Sequence, residues 1–146
     1  MRKEDFFART MHTPDDPERA AVRASLREMS KLLIPLHRAL IDASRDEYTA
    51  VGGVIQSPHQ LLKLITDDPF FAWLKPITSL IVDIDEMARV DFTADDVAAI
   101  AKRVDQLFGT HVDEGFAARY VPILQRSVDV AIAHAAVRQV LAKLAP

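Results

Sequence analysis

The sequence contains no cysteine, and this one absence excludes several chemistries. Disulfide bonds, thiolate metal sites and cysteine nucleophiles are all ruled out, and the absence is compatible with a reducing compartment. The sequence also lacks an apolar run long enough for a signal peptide or a membrane span. We therefore expect a cytoplasmic protein that does not bind or cross a membrane.

Excess positive charge is also missing, because 18 lysines and arginines face 21 acidic residues and give a formal net charge of −3. Proteins that bind nucleic acid normally concentrate positive charge against the phosphates. We therefore expect no nucleic-acid partner. The chain has 146 residues, of which 49% are hydrophobic and 27% charged, which suits one globular domain with a substantial core.

Glycine is rare, and three of the four glycines stand where a helical pattern stops, namely Gly52, Gly53 and Gly109. The alternation of polar and apolar residues that is typical of strands is almost absent. The sequence therefore predicts an all-α fold, an up-down four-helix bundle with a broken second arm. We expect residues 1–15 to form an N-terminal arm, either flexible or docked, and residues 16–146 to form one domain.

Several short motifs predict where helices begin or bend. A capping side chain followed by a proline marks three helix starts, at Asp16-Pro17, Ser57-Pro58 and Asp68-Pro69. Thr93 and Asp96 form a variant of the capping box. Pro35 and Pro76 fall inside apolar helical patterns, where a proline removes a hydrogen bond, and they predict kinks.

The last helix shows the most regular apolar spacing in the chain. Residues at alternating intervals of four and three form a single seam: Phe116, Tyr120, Ile123, Ser127, Val130, His134, Val137, Leu141 and Leu144. This pattern predicts one long helix, provided that Pro122 does not break it. Such a helix would match the first one in length.

Two histidines are the candidates for chemistry near neutral pH. His37 and His134 lie on apolar faces near the middle of the long helices, and Tyr48 follows on the first helix. A pocket lined by these three side chains, between the kinks, would suit a small apolar ligand or a reaction. The Glu-x-x-His pairs of di-metal bundles are missing, so we expect core histidines, with no metal and no cofactor.

Two other polar motifs have ordinary explanations. Asp83, Asp85 and Glu86 place three carboxylates in four residues, but successive helical residues point about 100° apart, which indicates a solvated face. His59, followed by Gln60 and two leucines, has some likeness to phosphorelay bundles. It would lie in the first turn of a helix, however, and the glycine needed for a response regulator to approach is absent.

An aromatic cluster stands out between the second and third helical segments, and we define it as Phe70, Phe71, Trp73 and Leu74. Adjacent residues on a helix point in different directions, so the whole cluster cannot face one core. The N-terminal Phe6, Phe7 and Met11 would fold back over it in one interpretation. In another, the cluster anchors a homodimer or a protein partner, because large apolar side chains dominate interfaces.

Residues 32–89 resemble a group of uncharacterised bacterial proteins. The resemblance rests on four strings, LHRALID at 36–42, SPHQLL at 57–62, DPFFAWLKP at 68–76 and LIVDIDE at 80–86. It implies a bacterial source and assigns no activity or functional residue.

These observations favour a non-catalytic helical bundle that acts by self-association or by binding a protein partner through the aromatic cluster. The alternative is a ligand-binding or enzymatic bundle whose pocket contains His37, Tyr48 and His134.

Overall fold

The computed structural model describes residues 15–145, and all regular secondary structure in that range is helical. The helices are α1 (Pro17–Ala50), α2 (Pro58–Asp67), a 3₁₀ helix (Pro69–Leu74), α3 (Lys75–Arg89), α4 (Ala94–Phe108), α5 (Glu114–Arg126) and α6 (Val128–Leu144). The predicted all-α, bundle-like fold is confirmed. The predicted docking of Phe6, Phe7 and Met11 concerns residues outside the described range.

Helix starts follow the capping motifs of the sequence. The Asp16 carboxylate accepts a hydrogen bond of 2.8 Å from the Arg19 amide, and Ser57 and Asp68 cap the next two segments in the same way. Thr93 and Asp96 form both bonds of the predicted capping box. These side chains satisfy amides of the first turn, which have no partner within their own helix.

The prolines act differently from one another. α1 continues through Pro35 without interruption, whereas Pro76 lies in the first turn of a new helix, α3, which starts at Lys75. The prediction of a single last helix was wrong, because α5 passes through Pro122 but ends at Arg126. Ser127 takes an extended conformation and its side chain accepts a hydrogen bond from the Val130 amide, so it starts α6.

The core lies around α1, which packs most extensively against α6 and α3. Its inward stripe is fully buried and consists of Leu26, Met29, Leu33, Leu36 and Leu40. The predicted seam of the last helices also faces the core, with Ser127 and His134 as its partly exposed members. No helix within residues 15–145 is both long and apolar enough to cross a membrane.

Arg23 is a buried charge that ties the start of α1 to the end of α3. Its guanidinium donates hydrogen bonds of 2.8 Å to the carbonyls of Ala88 and Val90 and forms an ion pair of 2.7 Å with Asp15. The hydrogen bond with Asp15 raises the pKa of Arg23, since it stabilises the charged form. The carbonyls at the end of α3 thereby gain partners that their own helix cannot supply.

Candidate functional site

The short 3₁₀ helix divides the aromatic cluster between the core and a protected edge. Phe71 and Leu74 are 0% and 1% exposed and belong to the central core. Phe70 and Trp73 are partly buried and pack against that core. Two of the four residues predicted to contact a partner are therefore buried in the core of this chain.

Phe70 and Trp73 are engaged by neighbouring helices. Tyr48 of α1 packs edge-on against Phe70, with ring centroids 5.3 Å apart. The Trp73 indole donates a hydrogen bond of 3.1 Å to the hydroxyl of Ser44, a fully buried residue of α1. The Trp73 ring also packs against Phe116 of α5 at 5.5 Å. These contacts join α1, the 3₁₀ helix and α5.

Arg119 of α5 covers both partly buried rings. Its guanidinium carbon lies 4.7 Å from the centroid of Phe70 and 5.3 Å from that of Trp73, and Nη1 donates to the Phe70 carbonyl. Glu47 lies 3.5 Å from Arg119 and accepts a second ion pair of 2.8 Å from Arg126. The Arg119 guanidinium, with a carboxylate nearby, thus covers apolar surface that a partner would otherwise contact.

The three predicted pocket residues make their contacts in three different places. His37 shares a hydrogen bond of 3.1 Å with Thr78 of α3, and His134 shares one of 2.8 Å with the hydroxyl of Tyr120 in α5. Tyr48 packs against the aromatic cluster, eleven residues and about 16 Å along α1 from His37. The structure therefore does not gather them around one ligand.

Burial shifts the titration of His37, His134 and Tyr120 toward their neutral forms. It lowers the pKa of His37 and of His134, and the positive charge of Arg138 lowers the latter further. Burial also raises the pKa of the Tyr120 hydroxyl well above its ordinary value. The Tyr120 hydroxyl and Nδ1 of His134 therefore meet in a place where burial favours the neutral form of both groups.

A depression of about 290 Å³ opens beside Pro35, between α1 and α6. Its lining combines apolar with charged side chains: Pro35, Leu36, Arg38, Ala39, Asp42, Asp129, Val130 and Ala133. None of His37, Tyr48 and His134 is among them. The space near the proline therefore lacks the polar groups that the sequence suggested for a pocket.

The acidic motif of α3 forms ordinary surface ion pairs. Asp83 lies 2.7 Å from Arg103 of α4, and Asp85 lies 3.9 Å from Arg89 one turn along α3. Within the described part of the chain, no three histidine, aspartate or glutamate side chains converge as metal ligands do. The carboxylates of α3 therefore serve to solvate the bundle and to connect α3 with α4.

One side of α6 presents a continuous row of exposed apolar and small residues. Val128 and Ile132 are 74% and 65% exposed, and they share the outer side of the helix with three exposed alanines and one glutamine. We define the outward face of α6 as Val128, Ala131, Ile132, Ala135, Gln139 and Ala142. The exposed positions of α1, by contrast, include Arg27, Glu28, Lys31, Arg38 and Asp42.

Sequence analysis missed this face because it followed the inward seam of the last helix. The available signal was that apolar residues continue around the whole circumference between residues 128 and 137. A helix that is apolar on all sides is normally buried on all sides, and α6 is covered on only one.

Comparison with known proteins identifies no relative for this chain. No family model matches it, and neither does any curated protein or any solved structure.

Proposed function

We propose that the chain is a non-catalytic helical bundle that acts by binding a protein through the outward face of α6. One observation carries the proposal, the exposure of Val128 and Ile132 on a helix whose other side already supplies the core. Exposed aliphatic side chains that recur one turn apart mark a surface shaped for another helix.

The non-catalytic part of the proposal rests on the pairing of three partly buried polar side chains. His37 and His134 each have a hydroxyl partner, and the Trp73 indole has Ser44. A catalytic group normally faces a cleft in which it meets its substrate within hydrogen-bond reach. Paired side chains of this kind favour a structural role for all three.

The energetics favour a contact of modest strength. Complete burial of a valine or isoleucine side chain contributes roughly 1.5–3 kcal/mol, and the two side chains are largely exposed in the isolated chain. Association also costs several kcal/mol of lost translational and rotational freedom. We therefore expect a reversible complex, in which Val128 and Ile132 are the main anchors.

The aromatic cluster has a supporting role in this proposal, since Arg119 and Glu47 cover its outer edge. We propose the cytoplasm as the compartment, because the absence of cysteine suits a reducing environment.

Photo-crosslinking tests the proposal in the cells that naturally produce the protein. A photoreactive amino acid at Gln139 lies on the outward face of α6 and leaves both anchors intact. The matched control places it at Ala99, which is exposed on α4. We expect one discrete protein adduct from position 139, none from position 99, and loss of the adduct when Ile132→Asp is added. Equal labelling from both positions, or an adduct insensitive to Ile132→Asp, would contradict the proposal.

A further inference from the structure

We infer that the occupant of the outward face of α6 is a second copy of the same chain, with the two α6 helices antiparallel. This inference rests on the proposed function and names its partner. Three properties of α6 support it, namely the order of its charges, the edge that Asp129 and Lys143 share, and the position of its small residues.

The charges of α6 are separated along the helix. Asp129 lies in the first turn, whereas Arg138 and Lys143 lie in the second half. Antiparallel pairing of two copies places the acidic start of each helix beside the basic end of the other. Parallel pairing would place like charges side by side, and it would also align the two helix dipoles unfavourably.

Asp129 and Lys143 also lie on the same edge of the outward face. They are fourteen residues apart, which is nearly four full turns, so their side chains point in similar directions. A two-fold axis that relates antiparallel helices brings the same edge of both together. Each Asp129 then faces the partner subunit's Lys143. Lys143 already lies 3.5 Å from Glu28, but this contact is long and exposed, so the Lys143 ammonium can still pair with another carboxylate.

Ala135 lies at the centre of this arrangement. It is seven residues from Val128 and seven from Ala142, the two ends of the face. A small residue on the axis allows the two backbones to approach closely, and Ile132 then packs against the neighbouring small residues of the partner. The same surface is used by both copies, so the assembly closes as a dimer.

The size of the face limits the strength of the dimer. From Val128 to Ala142 the helix is about 21 Å long and about 10 Å wide, so two such faces bury less than the roughly 1,200–2,000 Å² of a standard interface. We therefore expect a rapidly exchanging dimer, which is best detected by trapping.

Single cysteines provide that trap, because the natural chain has none. Under mild oxidation Ala135→Cys should form a disulfide dimer with itself. Val128→Cys alone should not, because the two copies of residue 128 lie about 21 Å apart and a disulfide requires Cα atoms within about 7 Å. A mixture of Val128→Cys and Ala142→Cys should cross-link as a heterodimer. Ala99→Cys, exposed on α4, is the matched control.

We expect at least tenfold more dimer from Ala135→Cys than from Ala99→Cys. Lys143→Glu should lower that yield, and the added change Asp129→Lys should restore it, because the swap re-forms the opposite pairs. Dimer formation by Val128→Cys alone, or equal yields from Ala135→Cys and Ala99→Cys, would overturn the inference.

The two experiments distinguish failure of the proposed dimer from failure of the proposed function. Monomeric cysteine variants combined with a Gln139 adduct of another mass would leave the proposed function standing with a different protein partner. The absence of both signals would remove the proposed function as well.

Discussion

The aromatic cluster and the outward face of α6 present opposite combinations of residue type and environment. The cluster contains the large rings that dominate interfaces elsewhere, yet Phe71 is completely buried and Arg119 covers Phe70 and Trp73. The face of α6 contains only aliphatic and small residues beside one glutamine, yet two of them are largely exposed. Residue type alone favours the aromatic cluster as a contact surface, whereas exposure favours the face of α6.

The difference shows how a chain of this size uses its largest side chains. Aromatic rings bury the most area per residue, so they contribute most when the short 3₁₀ helix must be fixed between α1 and α5. Small aliphatic residues bury less area in the core, and they allow another helix to approach closely.

Phe71→Ala should have the largest effect on stability. The ring is 0% exposed and packs against both Tyr48 and Phe70, so its removal leaves a cavity. We expect the free energy of unfolding to fall by about 3–5 kcal/mol in a urea titration followed by circular dichroism. A loss below about 1 kcal/mol would show that the cluster is not a structural anchor.

Ser44→Ala should have an intermediate effect. It leaves the Trp73 indole without its hydrogen-bond acceptor in a partly buried place, at an expected cost of about 1–3 kcal/mol in the same titration. Ser79→Ala, at an exposed position of α3, is the matched control and should change little. Similar losses for the two variants would mean that the bond between α1 and the 3₁₀ helix contributes nothing specific.

The partly buried histidines His37 and His134 should produce a smaller, pH-dependent effect. Burial lowers the pKa of His37 and His134 in the folded state, so the unfolded chain binds more protons below its ordinary histidine pKa of about 6.5. The stability that the two histidines contribute is therefore complete above that pH. It is lost as the pH falls from there through their lowered pKa values in the folded state. Urea midpoints at pH 7.5 and 5.5 measure the slope, which His37→Gln with His134→Gln should flatten. An unchanged slope in the double variant would contradict this assignment.

Ile132→Ser should have the smallest effect on folding and a large effect on association. The side chain is 65% exposed, so we expect the free energy of unfolding to change by less than about 0.5 kcal/mol. The Gln139 photo-adduct should nevertheless disappear. A loss of stability comparable to that of Phe71→Ala would mean that Ile132 supports the fold, and would remove the contrast between the two regions.

Local sequence determined the helices and most of their boundaries. Asp16, Ser57, Asp68 and Thr93 each cap a helix as their spacing predicts, because a cap needs only a side chain within reach of its own first-turn amides. The inward stripe of α1 and most of the seam in α5 and α6 follow from periodicity for the same reason. These features depend on residues a few positions apart.

The packing of the helices determined which surfaces stayed exposed and which polar groups came into contact. Ser127, which follows α5, caps α6 by accepting a hydrogen bond from the Val130 amide, so this helix break had a local cause. The sequence could not show, however, that Arg119 would cover Phe70, or that His37 and His134 would take Thr78 and Tyr120 as partners. Such contacts join residues far apart in the chain, so their formation depends on how the helices are assembled.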